Sequence, residues 1–173
     1  MKAIFFIIVL YALPFGIRAQ SNEAVVSQRA LAYADSLLNA FQNNRSGEYT
    51  EMTYPGAISY YGGIRSFQHY IERERALSDN AKEKTEIVQL LNNKNEWQCV
   101  IKKTRPKTID GKKAYIVSYL VGQSRDNGTT WKYFDVAFNS VANIGYIMPD
   151  KFEALMIPQR EVIFEKDQMA SSK

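Results

Sequence analysis

One cysteine and one histidine are all that 173 residues contain of the two most versatile catalytic side chains, and their scarcity excludes whole classes of chemistry. Cys99 has no partner for an internal disulfide, so the fold must rest on a packed core. Within an apolar, strand-like run it reads as a small buried hydrophobe. Cys99 and His69 lie far apart in the chain and cannot form a zinc cluster between them. On its helix His69 falls off the apolar stripe of Ile64, Phe67 and Ile71, which makes it a solvated histidine. No Ser/His/Asp arrangement and no phosphate-cradling glycine loop occurs either, and no cofactor or metal is expected.

Long apolar runs are also missing. The longest, Ala3 to Leu13, falls short of the about 20 residues that span a bilayer. Lys2 precedes it, Pro14 and Gly16 follow, and the small Ala19 comes next: the pattern of a signal peptide cut after Ala19. Cleavage would leave 173 − 19 = 154 residues and remove Lys2 and Arg18, so that 22 − 2 = 20 basic residues face 18 acidic ones. A net charge of +2 does not call for a nucleic-acid partner. No cysteine follows the signal core to carry a lipid, so no stable membrane anchor is expected. The expected organisation is a signal peptide over 1–19, one domain over 20–166 and a disordered tail, DQMASSK, over 167–173. The product is a soluble exported protein, periplasmic or extracellular.

Within the mature chain, Leu31, Ala34, Leu38 and Phe41 recur at helical spacing and predict a helix over 22–44, with Gly47 as the stop. A second helix begins after Gly62 and Gly63 and ends near Asp79. The intervening TYPGAISYYGG is expected to be an aromatic loop or short strand. From there the period changes to that of strands, over 85–91, 96–104, 113–123 and 131–139. Their turns carry Asn92 to Asn95, Asp110-Gly111 and Asp126-Asn127-Gly128, which suits an antiparallel meander. Helices first and strands afterwards predict an α+β domain, the sheet wrapped on the helices. Tyr115, Val117, Tyr119 and Val121 on one face, and Ile116 and Leu120 on the other, make the third strand apolar on both sides. The face away from the helices is therefore expected to be covered, by a second copy in a homodimer or, less favoured, by the segment 160–166. Lys102, Lys103, Arg105, Lys107, Lys112 and Lys113 surround one hairpin and read as a solvated edge.

Residues 124–131, SRDNGTTW, fit the pattern Ser-x-Asp-x-Gly-x-Thr-Trp, which resembles the Asp box of sialidases and other propeller enzymes. A propeller needs several blades, each with its own repeat, and this chain has one box. It is expected to be a hairpin device, with Gly128 at positive φ and Asp126 accepting turn amides. The stretches VSYLVGQSRDNGTTWKYFDVAF and NIGYIMPDKFEALMIP, with TYPGAISYYGGIRSFQHYI upstream, resemble small secreted proteins of the nuclear transport factor 2-like superfamily. That resemblance implies a cone of helices on a curved antiparallel sheet, often with an apolar pocket at its mouth. The fold hosts enzymes and binding modules alike.

In such a cone the pocket candidates are Tyr54, Tyr60, Tyr61, Trp97, Tyr119, Trp131, Tyr133 and Asp135. The family's paired-histidine dehydratase chemistry finds no match here. The preferred function is a noncatalytic module that binds a small apolar ligand or a protein partner. The alternative is an isomerase-like enzyme with Asp135 as base and tyrosine donors. Strand alternation puts Asp135 on one face with Trp131, Tyr133 and Ala137. Apolar residues on both faces leave open which one lines the cone, and an exposed Asp135 is the preferred reading.

Overall fold

A computed structural model describes residues 15–165 except 80 and 140, with side chains from residue 22 onward. Most of the expected signal peptide and the tail 167–173 lie outside the described residues. Four helices come first: α1 Phe15–Gln42, α2 Ser46–Glu51, α3 Pro55–Tyr60 and α4 Ile64–Ala76. The strands β1 Lys84–Asn93, β2 Glu96–Ile109, β3 Lys112–Ser124 and β4 Lys132–Asp135 follow, then a short helix α5 Ile144–Ile147 and a final strand β5 Glu161–Phe164. No described helix is long and apolar enough to cross a membrane.

α1 buries Val26, Ala30, Ala34 and Leu37 at spacings of four, four and three residues, and the two alanines let the sheet approach closely. It stops at Asn44 rather than Gly47. Asn44 takes a φ of 56°, and the Arg45 amide returns to the Ala40 carbonyl at 2.9 Å, a closure in which asparagine replaces the usual glycine. Gly47 is instead inside α2. The expected aromatic loop is also helical, because Pro55 opens α3 at a position where its missing N–H costs nothing. Gly56 then allows α3 to touch α5: a Cβ there would stand 1.9 Å from the Ile147 carbonyl oxygen.

The sheet is antiparallel in the order β1-β2-β3-β4, and β5 also pairs with β3. β4 runs beside Leu120 to Gln123, and β5 takes over the same edge of β3 beside Ala114 to Val117. β4 is shorter than the expected 131–139 because the amides of Phe138 and Asn139 turn back to the Asp135 carbonyl.

The two apolar faces are both filled from within the chain. Toward the helices, Cys99, Ile101, Leu120, Trp131 and Tyr133 pack with α1. On the outer face, Val100, Val117, Tyr119, Val121 and Phe134 are covered by Ile144, Ile147, Met148 and Leu155. So the cover is neither of the two expected. The segment after 160 extends the sheet edge instead of lying over it, and the apolar pattern needs no second copy to explain it.

The covering segment is held by side-chain amides. Gln98, wholly buried, donates to the Asp150 carbonyl at 3.0 Å and accepts from the Phe152 amide at 2.8 Å. Gln89 makes a matching pair with the Ala154 carbonyl and the Met156 amide, both at 2.9 Å. Gln123, Tyr54 and Arg125 all reach the Asp150 carboxylate.

Candidate functional site

Along β2 the helix-facing residues change character. Trp97, Cys99 and Ile101 belong to the apolar core, and the next two at the same parity are Lys103 and Arg105. α1 covers the first part of this face. At the other part a cleft of about 160 Å³ opens, walled by Leu38, Phe41 and Phe138 and floored by Lys103, Ser118 and Asp135.

Lys103 and Asp135 are each 3% exposed, and Lys103 Nζ donates to Asp135 Oδ2 at 2.5 Å. The Glu83 carboxylate stands 3.3 Å from the same ammonium. Asp135 Oδ1 accepts the Ala137 amide at 2.8 Å, so both carboxylate oxygens are engaged. The structure thus corrects two expectations. Asp135 points inward under the helices rather than out to solvent, and Lys103 leaves the solvated basic cluster to become its buried partner. Lys107, Lys112 and Lys113 of that cluster are exposed.

Burial pushes the Lys103 ammonium toward the neutral form, but the charges of Asp135 and Glu83 outweigh it and raise its pKa above the ordinary lysine value. Lys103 remains an ammonium and is no Schiff-base nucleophile. Tyr49, which lines the same cleft, is held well above the usual tyrosine range by burial and then by the Asp135 charge, so it remains a neutral phenol.

The tyrosines and tryptophans expected around Asp135 are not gathered there. Trp97, Trp131 and Tyr133 lie in the core beneath α1, with the Tyr133 hydroxyl donating to the Ala30 carbonyl at 2.7 Å. Tyr119 and Tyr54 face the outer side of the sheet. Burial and the bond to Asp150 raise the Tyr54 hydroxyl to about 12. Tyr61 stacks on Tyr70 at 4.3 Å and donates to the Phe138 carbonyl, which fixes the cleft wall from behind. Tyr60 is exposed and accepts from Asn143. His69 is exposed beside Glu72. Burial pushes the Cys99 thiol up, away from reactivity. Among the described residues no group of three or more His, Cys, Asp and Glu could hold a metal ion.

The Asp box is a turn. Asp126 Oδ1 accepts Ser124 Oγ and the amides of Thr129 and Thr130 at 2.8, 3.1 and 2.9 Å, and Oδ2 accepts the Thr130 hydroxyl at 2.7 Å. Partial burial opposes ionisation, but these bonds prevail and lower the Asp126 pKa to about 2. Gly128, at φ 79°, brings the turn against Val26 of α1, where a Cβ would stand 2.7 Å from Val26 Cγ2.

Comparison with protein-family models, with curated proteins and with solved structures finds no match.

Proposed function

We propose that the protein is an exported, noncatalytic binding module of the nuclear transport factor 2-like cone fold, which takes a small, largely apolar ligand into the cleft above Lys103 and Asp135. One observation carries this reading: Asp135, the most buried of the acids described in the cleft, has both oxygens hydrogen-bonded, one to an ammonium and one to an amide. A general base must be aimed at its substrate, whereas the Asp135 carboxylate is held in place by Lys103 on one oxygen and the Ala137 amide on the other. The apolar walls favour a ligand with a hydrocarbon body, and the volume is below the about 300 Å³ at which drug-sized ligands fit.

Protein-observed NMR with a panel of small aromatic and aliphatic compounds tests the reading. The expected result is amide shifts gathered at Phe41, Ser118 and Phe138 with no turnover on long incubation. Ala137→Trp, which fills the cleft, should remove them while leaving the rest of the spectrum folded. Shifts gathered elsewhere, or conversion of a compound, would overturn it. Export is tested separately by the intact mass of the secreted chain, which should begin at Gln20.

A further inference from the structure

The cleft's hydrogen-bonding capacity is uneven. Asp135 is engaged by Lys103 and Ala137 and Glu83 faces Lys103, while Glu74 makes only a 3.9 Å ion pair with Arg73. Several of the cleft's donors have capacity left. Ser118 is 4% exposed and lines the cleft, and its hydroxyl has no hydrogen-bond partner among the described residues. Arg105 spends Nη1 on Asp79 and Ser78, but its buried Nε has no partner. Arg160 also lines the cleft, exposed and in no ion pair among the described residues.

Strand register places these donors side by side. Lys103 of β2 pairs with Ser118 of β3, and on the other edge of β3 the pairing with β5 runs up to Val117 with Glu161. Arg160 immediately precedes β5 and lines the cleft together with Ser118. β4 last pairs at Leu120 with Asp135, so Ser118 sits in the gap where one edge strand has ended and the next has not begun. An ammonium, a free hydroxyl and a guanidinium therefore border one cleft from three chain segments, with Arg105 two residues farther along β2 from Lys103. Lys103 has three N–H groups and two carboxylate partners, which leaves one. Leu38, Phe41 and Phe138 supply an apolar wall opposite.

We propose that the ligand is a small organic acid, a carboxylate on a short hydrocarbon body, whose oxygens bind Ser118, Arg160 and Arg105 while the body rests on the apolar wall. This rests on the cleft being a binding site at all. The three basic and three acidic side chains lining the cleft balance, so discrimination comes from unfilled donors rather than from a net field. A carboxylate accepts from several donors at once, whereas an amide offers one oxygen and an ammonium none.

NMR titration of the full mature chain with benzoate, benzamide and benzylamine decides between the two levels. Benzoate should shift Lys103, Ser118 and Phe138, and should bind about tenfold or more tightly than either neutral or cationic analogue. Arg160→Gln, at an exposed position, and Ser118→Ala should each weaken benzoate by about tenfold while leaving benzamide unchanged. If benzamide or benzylamine occupies the cleft as tightly as benzoate, the acid assignment is wrong and the apolar cleft stands. If benzoate shifts residues away from the cleft, the acid assignment fails. If no probe reaches the cleft, both readings fail together.

Discussion

At the scale of single residues, Lys103 and Asp135 form a pair whose members depend on each other. Removing one leaves the other as an uncompensated buried charge, so Lys103→Met should destabilise the fold by about 3–5 kcal/mol. Replacing both, as in Lys103→Met with Asp135→Leu, should recover part of that loss, since the desolvation of the pair offsets much of its attraction while Glu83 is left without Lys103. Denaturant unfolding of the three proteins checks this, and a double variant as weak as the single one would contradict it. Asp126→Ala should lower the melting temperature, because the amides of Thr129 and Thr130 lose their acceptor. The pH dependence has a definite sign. The folded pKa of Asp126 is depressed to about 2, so its stabilisation is present above the unfolded value of about 4 and is lost as pH falls between the two. Asp126→Asn should show a smaller drop in melting temperature across that window than the parent protein. Lys103 was legible in principle: it continues the alternation of Trp97, Cys99 and Ile101, a parity at which a lysine must be buried if the strand runs on. Asp135 was not, because apolar residues on both faces of its strand remove the contrast that tells inside from outside.

At the scale of elements, the sequence pattern places β1 and β3 closely, ends the second strand at 104 although β2 runs on to Ile109, and misses α2 and α3. Tyrosines and a proline look like loop or strand in isolation, and Pro55 becomes a helix start only when Tyr54 packs as the residue before it. The contact that fixes α3 is equally invisible along the chain, since Gly56 meets Ile147 across a long stretch of sequence. Gly56→Ala should force α3 away from α5 and cost about 1–3 kcal/mol. Thermal unfolding measures it, and an unchanged melting temperature would mean that α3 and α5 do not touch as closely as described. Val136 and Phe138 keep the strand's apolar alternation after the backbone has already turned, so the sequence pattern overruns the end of β4 at Asp135.

At the scale of the whole molecule, the α+β order was plain from the change of period after residue 84, while the cover of the outer face was not. Ile144, Ile147, Met148 and Leu155 follow no regular period, and nothing in their spacing says which surface they meet. With that face filled, sedimentation of the mature protein at micromolar concentration should give the mass of one chain. A dimer would have to use a surface other than the outer sheet face.

The cover is fastened in a way that bears on ionic strength. Arg125 and Asp150 attract each other at the exposed rim, and molar salt would weaken that attraction, since the screening length shrinks to about 3 Å. Gln98 and Gln89 hold the same segment with neutral amides that pair, donor to acceptor, with its backbone. Such bonds carry no net charge for mobile ions to screen. The segment should therefore stay shut in brine: the amides of Phe152 and Met156 should exchange with deuterium as slowly in 1 M salt, on the order of seven times the physiological level, as in dilute buffer. A cover latched by ion pairs alone would loosen there.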